Sequence, residues 1–295
     1  MTAGCAIVLS LIVGCGAASA GHAGSGHGGR SGAGQATASQ EFALAASESA
    51  KITSLTMVET MTMHGLGLPG AGGGVIPAGS AASGTSGNGS VELHATARMR
   101  LKPALLAAIR MKMNLAARSI SLDEILTSRA IYLKMPGILP THAGRPWAKI
   151  SLASLPNGMN LRKLFQQMQK RNPLTAMGSP SALAKFLVGA KHLRVVGHQT
   201  VDGVATTEYA GTLNLRALIA AIPAAAAQRK LVGSAAPAGM PLRVWIDGQH
   251  QVRKVAMRMA FRKVSMSFTV NITSINRPVR IVPPPSSQVS VLSHP

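Results

Sequence analysis

Acidic residues are scarce in this chain: 9 Asp and Glu stand against 30 Lys and Arg, for a formal charge of +21 over 295 residues. Between Glu124 and Asp202 there is no carboxylate at all. The nine are scattered, and the one adjacent pair, Asp123 and Glu124, falls on a strand pattern whose neighbours point to opposite faces. Paired-carboxylate catalysis therefore has no basis here. Cysteine is also rare, with Cys5 and Cys15 alone, so no thiolate cluster can hold a metal. His22 and His27, without acidic or thiol company, do not make a metal site either. No Gly-x-Ser-x-Gly elbow and no His-Glu-x-x-His occurs. The expectation is a protein that is not an enzyme and uses no cofactor. Aromatic residues make up 3% of the chain, too few to interleave with the cations as stacking platforms for single-stranded nucleic acid. A surface this basic attracts polyanions, and anionic lipid headgroups or wall polymers fit better than nucleic acid.

What is present starts at the N-terminus. Cys5 to Val13 is apolar but for Ser10, too short to span a bilayer and long enough for a signal-peptide core. It runs into Leu11-Ile12-Val13-Gly14-Cys15, the pattern of a bacterial lipobox. Gly14 supplies the small residue before the cut, and Cys15 the thiol that takes a diacylglyceryl thioether. Met1 to Ala6 carries no Lys or Arg, so the amino group of Met1 serves alone or the start lies upstream. With Cys15 acylated and Cys5 removed with the leader, the mature chain has no disulfide. The expected organisation is a signal peptide over 1–14, a Gly/Ala/Ser tether over 15–39, one domain over 40–283 and a Pro-rich tail over 284–295. A tether of this composition cannot bury enough surface to order itself, and it spans roughly 25 to 30 Å as a flexible coil. Such a chain sits outside the cytoplasm, on the outer face of the plasma membrane.

Within the domain the hydrophobic period is two, which reads as strands. Val91, Leu93, Ala95, Ala97, Met99 and Leu101 alternate with Glu92, His94, Thr96, Arg98 and Arg100. The same alternation recurs over 109–115, 131–135, 255–261 and 264–272. Asp202-Gly203 and Asp247-Gly248 are hairpin signals, since type I′ turns require positive φ. Helical spacing is limited to Gln40–Thr53, to Leu161, Leu164, Phe165 and Met168, to Ser181–Val188 and to Leu213–Gln228. The run from Gly65 to Gly89 lacks the Gly-Lys-Ser/Thr ending of a phosphate loop and reads as a surface insertion. Together these give an α+β fold built on a long antiparallel sheet.

The dry face is rich in methionine. Met57, Met61, Met63, Met99, Met111, Met113, Met135, Met257, Met259 and Met266 occupy strand positions, where an unbranched, adaptable side chain suits variable partners and serves equally as ordinary core. Glu59 shares the parity of Met57 and Met61; it either sits at a cavity mouth or marks a shift of register, and the shift is the expectation.

Four strings carry a resemblance. They are Ala130-Ile131-Tyr132-Leu133-Lys134-Met135-Pro136, Pro146-Trp147-Ala148-Lys149-Ile150, Val196-Gly197 through Asp202-Gly203 to Tyr209, and Pro241-Leu242-Arg243-Val244-Trp245-Ile246-Asp247-Gly248. In order and spacing they resemble the actinobacterial LppX/LprG-type lipoproteins. The resemblance implies a LolA-like fold, a strongly curved antiparallel half-barrel with helices covering its concave face and enclosing a cavity for acyl chains. It implies a monomeric carrier of lipids or glycolipids, with Cys15 lipidated and Met57, Met61, Leu93, Met99, Met111, Met113, Leu133, Met257, Met259, Met266 and Phe268 lining the cavity. A carrier of that kind would enclose about a thousand Å³ or more, beyond an ordinary small-molecule pocket. The chain departs from the family in the length of its Gly65–Gly89 insertion and in its more positive charge. The competing expectation is a structural or signalling lipoprotein with a filled core that binds anionic membrane or wall polymers.

Overall fold

The computed structural model describes residues 32–66, 89–115, 118–139, 144–151, 187, 189–214, 239–261 and 264–291. One helix, α1 (Gly32–Ala50), precedes eleven strands that form two meanders: β1 (Ser54–Leu66), β2 (Gly89–Arg100), β3 (Leu106–Leu115), β4 (Arg118–Leu126), β5 (Ala130–Lys134) and β6 (Trp147–Ser151), then β7 (Ala190–Val201), β8 (Val204–Leu213), β9 (Met240–Asp247), β10 (Val252–Phe261) and β11 (Val264–Ile275). A short β12 (Val289–Val291) follows. All belong to one open, curled sheet in the order β12-β6-β5-β4-β3-β2-β1-β11-β10-β9-β8-β7. The first strand pairs antiparallel with the eleventh, and this joins the two meanders.

Alternation decides which face is covered. Val91, Leu93, Ala95, Ala97, Met99 and Leu101 are all buried, and Glu92, His94, Thr96 and Arg98 are exposed. A bulge keeps this pattern across the seam: Thr56 pairs with Ser274 and Met57 with Ile272, so β11 has one extra residue. Both Ile275 and Ile272 are thereby held on the apolar side despite their odd spacing. The resulting core is a single cluster drawn from β1 to β5 and from β7 to β11. A fully buried Leu, Ile or Met contributes about 1.5–3 kcal/mol, and with no cysteine among the described residues this packing holds the fold.

The helix docks by spacing rather than by strong amphipathicity. Ala38, Phe42 and Ala45, at i, i+4 and i+7, are buried, and the Phe42 ring meets Tyr209 edge-on at 5.5 Å. It begins at Gly32, inside the segment read as tether, because Ala38 gains a buried seat there. It ends at Ala50 rather than Thr53.

Other expectations change in a similar way. The Pro-rich tail, which could either close the fold or trail off it, closes it, since Val289–Val291 adds a parallel strand to β6. Gly65, Leu66 and Gly89 belong to β1 and β2 rather than to the inserted loop. Leu213 ends a strand and does not start a helix. Asp202-Gly203 forms the expected tight turn, with φ of 47° and 80°. Asp247-Gly248 does not: the positive φ, 57°, falls on His250, while Asp247 N–H donates to the Gln251 carbonyl and His250 N–H to the Asp247 carbonyl. That is a longer loop ending in a left-handed residue. Helices over the concave face are not among the described residues. The spans 161–168 and 214–228 lie wholly or mostly outside them, as does 181–188 except for the buried Leu187.

Candidate functional site

Strand register places every predicted lining residue on one face. Met57 lies beside Ala97 on β2; Met61 lies between Leu93 and Phe268, and Leu93 beside Met113. Met257 pairs with Phe268, and Met259 with Met266. Met99, Met111 and Leu133 share the parity.

Cover over this face is uneven. At the end where β1 begins, Leu55, Met57, Met99, Ala107, Ile109, Leu126 and Ile131 are buried. Toward the other end Met61, Met63, Met113, Leu115, Ile120, Met259, Val264, Met266 and Phe268 are only half-buried. These are neighbours in register: Met63 lies opposite Met266, Met113 opposite Ile120, and Leu115 opposite Arg118. Two apolar patches, one on β3 and β4 and one on β1, β11 and β10, therefore remain partly open on either side of β2, whose Val91 and Leu93 are buried. A cleft of about 520 Å³ lies at this end of β1, β10 and β11, lined mostly by residues of the opposite strand parity, Thr62, His64, Arg258, Ser265 and Ser267, with Met240, Met259 and Met266 beside them.

Two carboxyls stand on the same face. Glu59 is 2% exposed between Ala95 and Val270, in line with Met57 and Met61. The β11 bulge lies before Met57 and leaves the β1 alternation intact, so the expected register shift does not explain Glu59. Glu124 is 5% exposed between Ile109 and Leu133. Burial raises the Glu59 carboxyl to about 7 and the Glu124 carboxyl to about 8, with no charged neighbour contributing among the described residues. Asp123, its side chain on the other face, pairs instead with Arg110 at 3.0 Å. Glu124 was legible in principle, since it shares parity with Leu122 and Leu126.

The opposite face is basic. Arg98, Arg110, Lys112, Arg243 and Arg258 are exposed there, and Lys254 lies 4.6 Å from the Trp245 ring centre. Sequence reading missed a second cleft, of about 530 Å³, between the β7–β8 hairpin, the β9–β10 loop and α1. Its polar groups are engaged locally. The His250 ring and the Glu41 carboxylate lie 2.7 Å apart, a bond that raises the imidazole. Asp247 accepts from the Gln249 and Gln251 N–H groups and from Arg253 Nε. Trp245 Nε1 donates to Gln199 Oε1 at 2.6 Å. These bonds hold the helix and loop in place. Among the described residues no group of three or more His, Cys, Asp or Glu is placed to hold a metal, and no helix is long and apolar enough to cross a membrane. Cys15 lies outside the described residues.

No family model matches the chain, and no curated protein matches it. Among solved structures it is similar to the lipoprotein LppX of Mycobacterium tuberculosis, at 16% identity and a TM-score of 0.46, over 84% of this chain and 99% of that one. It is similar also to LprF of Mycobacterium bovis, at 15% identity and a TM-score of 0.45, over 84% and 97%. A putative outer membrane lipoprotein-sorting protein domain from Vibrio parahaemolyticus matches at 8% identity and a TM-score of 0.23, over 82% and 95%.

Proposed function

We propose that this protein is an envelope lipoprotein, anchored through Cys15, that binds the acyl chains of a lipid or glycolipid on the apolar face of its sheet and carries them from the plasma membrane. The half-covered methionine end of that face is the observation that supports it. A folded domain gains by covering apolar side chains, at about 25 cal/mol per Å², yet patches on β3 and β4 and on β1, β11 and β10 stay partly open. Acyl chains laid on it would gain about 0.8 kcal/mol per methylene removed from water. Methionine suits the task because its side chain re-packs around chains of differing length. Neither cleft reaches the size expected of a multi-chain cavity, so occupancy rests on the open end of the face rather than on an enclosed void.

The basic face supports the second attachment signal. One acylated cysteine gives modest membrane affinity, and exposed cations add about 1 kcal/mol each near an anionic surface. No nucleophile, metal cluster or paired carboxylate supports catalysis among the described residues, and a non-enzymatic carrier is the reading adopted.

The test is native mass spectrometry with lipid extraction on the full chain carrying Cys15→Ser. Lipid at fixed stoichiometry supports the carrier. A protein that stays lipid-free after incubation with envelope lipids, but binds anionic vesicles or wall polymer, supports the structural or signalling reading instead.

A further inference from the structure

Glu59 and Glu124 have no evident use in the fold. Each occupies a position where the strand alternation calls for an apolar residue, and each is almost fully buried. Neither has a hydrogen-bond or ion-pair partner among the described residues. Their neighbours in register, Ala95 and Val270 for one and Ile109 and Leu133 for the other, carry no titratable group. Nor do Met57, Met61, Leu122 and Leu126 along their own strands. A buried polar group left unbonded costs about 1–3 kcal/mol, and Leu at either place would contribute instead.

We propose that Glu59 and Glu124 form two polar subsites within the apolar face, each donating a hydrogen bond to an ester carbonyl oxygen of bound acyl lipid. The inference rests on the lipid-binding reading above and adds a ligand class to it. A neutral carboxyl is a donor through its O–H. Within an acyl lipid the ester carbonyl is the strong acceptor that lies next to the aliphatic chains, where these two carboxyls sit. The two carboxyls stand three strands apart and one residue pair out of line. That is roughly 14 Å across the sheet at ordinary strand spacing, farther than the two neighbouring esters of one glycerolipid can span, so each carboxyl serves a separate lipid and the two do not act as an acid–base pair.

The test compares dipalmitoyl phosphatidylglycerol with its dihexadecyl ether analogue, which keeps chains and headgroup and lacks only the carbonyls. Both are offered to the full chain (Cys15→Ser) at about pH 6 and about pH 9. At the lower pH the ester lipid should bind up to about tenfold more tightly, the yield of one net hydrogen bond per lipid. At the higher pH the ionised carboxylates no longer donate, and the preference should vanish. Glu59→Gln/Glu124→Gln, whose amides donate at every pH, should keep the preference throughout. Equal binding of ester and ether by the unaltered carboxyls at pH 6 overturns the subsites and leaves lipid binding standing. Binding of neither lipid removes the lipid-binding reading itself.

Discussion

The two buried carboxyls make stability fall as pH rises, and the size of the effect follows from the structure. In an unfolded chain both titrate near 4.5; folded, burial moves Glu59 to about 7 and Glu124 to about 8. Raised carboxyl values mean that the folded state holds protons the unfolded state has already released. The stabilisation is complete below about 4.5 and is lost as pH passes through the two folded values. At about 1.4 kcal/mol per pH unit, ionisation in place costs on the order of 3 kcal/mol at Glu59 and 5 at Glu124, as ceilings that water penetration reduces. Typical domains have only about 5–15 kcal/mol in total, so even half of this is readily measured. Urea unfolding followed by circular dichroism at about pH 5.5, 7 and 9 should show a midpoint that declines steadily. Glu59→Gln/Glu124→Gln, of equal volume and uncharged throughout, should flatten the decline. His250 loses stabilisation in the same direction, because Glu41 raises its imidazole, and the difference between the parent and the Gln pair cancels that contribution. Parallel slopes in parent and variant would refute the reasoning and mean that both carboxyls reach water.

Three further outcomes are expected. Met113→Trp and Met266→Trp place an indole on the half-covered end of the face and should abolish acyl-chain loading by native mass spectrometry, with thermal midpoints close to the parent's; unchanged loading in both would move the site elsewhere. Phe42→Ala removes the ring that anchors α1 against Tyr209 and should cost about 3–5 kcal/mol, with amide exchange rising first along Gly32–Ala50. His250→Ala should lower stability below about pH 6, where the imidazolium pairs with Glu41, by no more than about 1 kcal/mol because the ring is well exposed; thermal melts at low and high pH check the sign.

Much of the sheet could be read from residue order because one face is dry and the other wet. A one-residue slip in β2 would expose Leu93 and Met99 and bury Arg98, so its alternation specifies its register. The eleven lining residues came out on one face for the same reason. Glu59 was misjudged because alternation assigns a parity without saying whether a polar residue there is tolerated; the Thr273 bulge, one strand away, absorbs the irregularity that Glu59 was taken to signal. The Asp247-Gly248 turn was misread because the Asp247 carboxylate binds the Gln249 and Gln251 N–H groups and so pulls the chain into a longer loop. The ion pair of Glu41 with His250 spans 209 residues, and no local pattern announces a contact of that range.

The uneven cover of a single face separates folding from binding. At the β1 start, Met99, Leu126 and Ala107 are wholly buried, and truncation of a large side chain there costs about 2–5 kcal/mol. At the other end Met61, Met113 and Met266 keep part of their surface open, so their loss forgoes less packing. The same methionine chemistry is thus core at one end and contact surface at the other, and what divides them is position along the strand. Glu59 and Glu124 lie on the buried side of that divide, one strand pair from the open rows in the case of Glu59, whose next neighbour of like parity is the half-buried Met61. A lipid laid on the open rows would meet Glu59 before Glu124, so the Glu59 subsite is the one reached with the least opening of the packed rows.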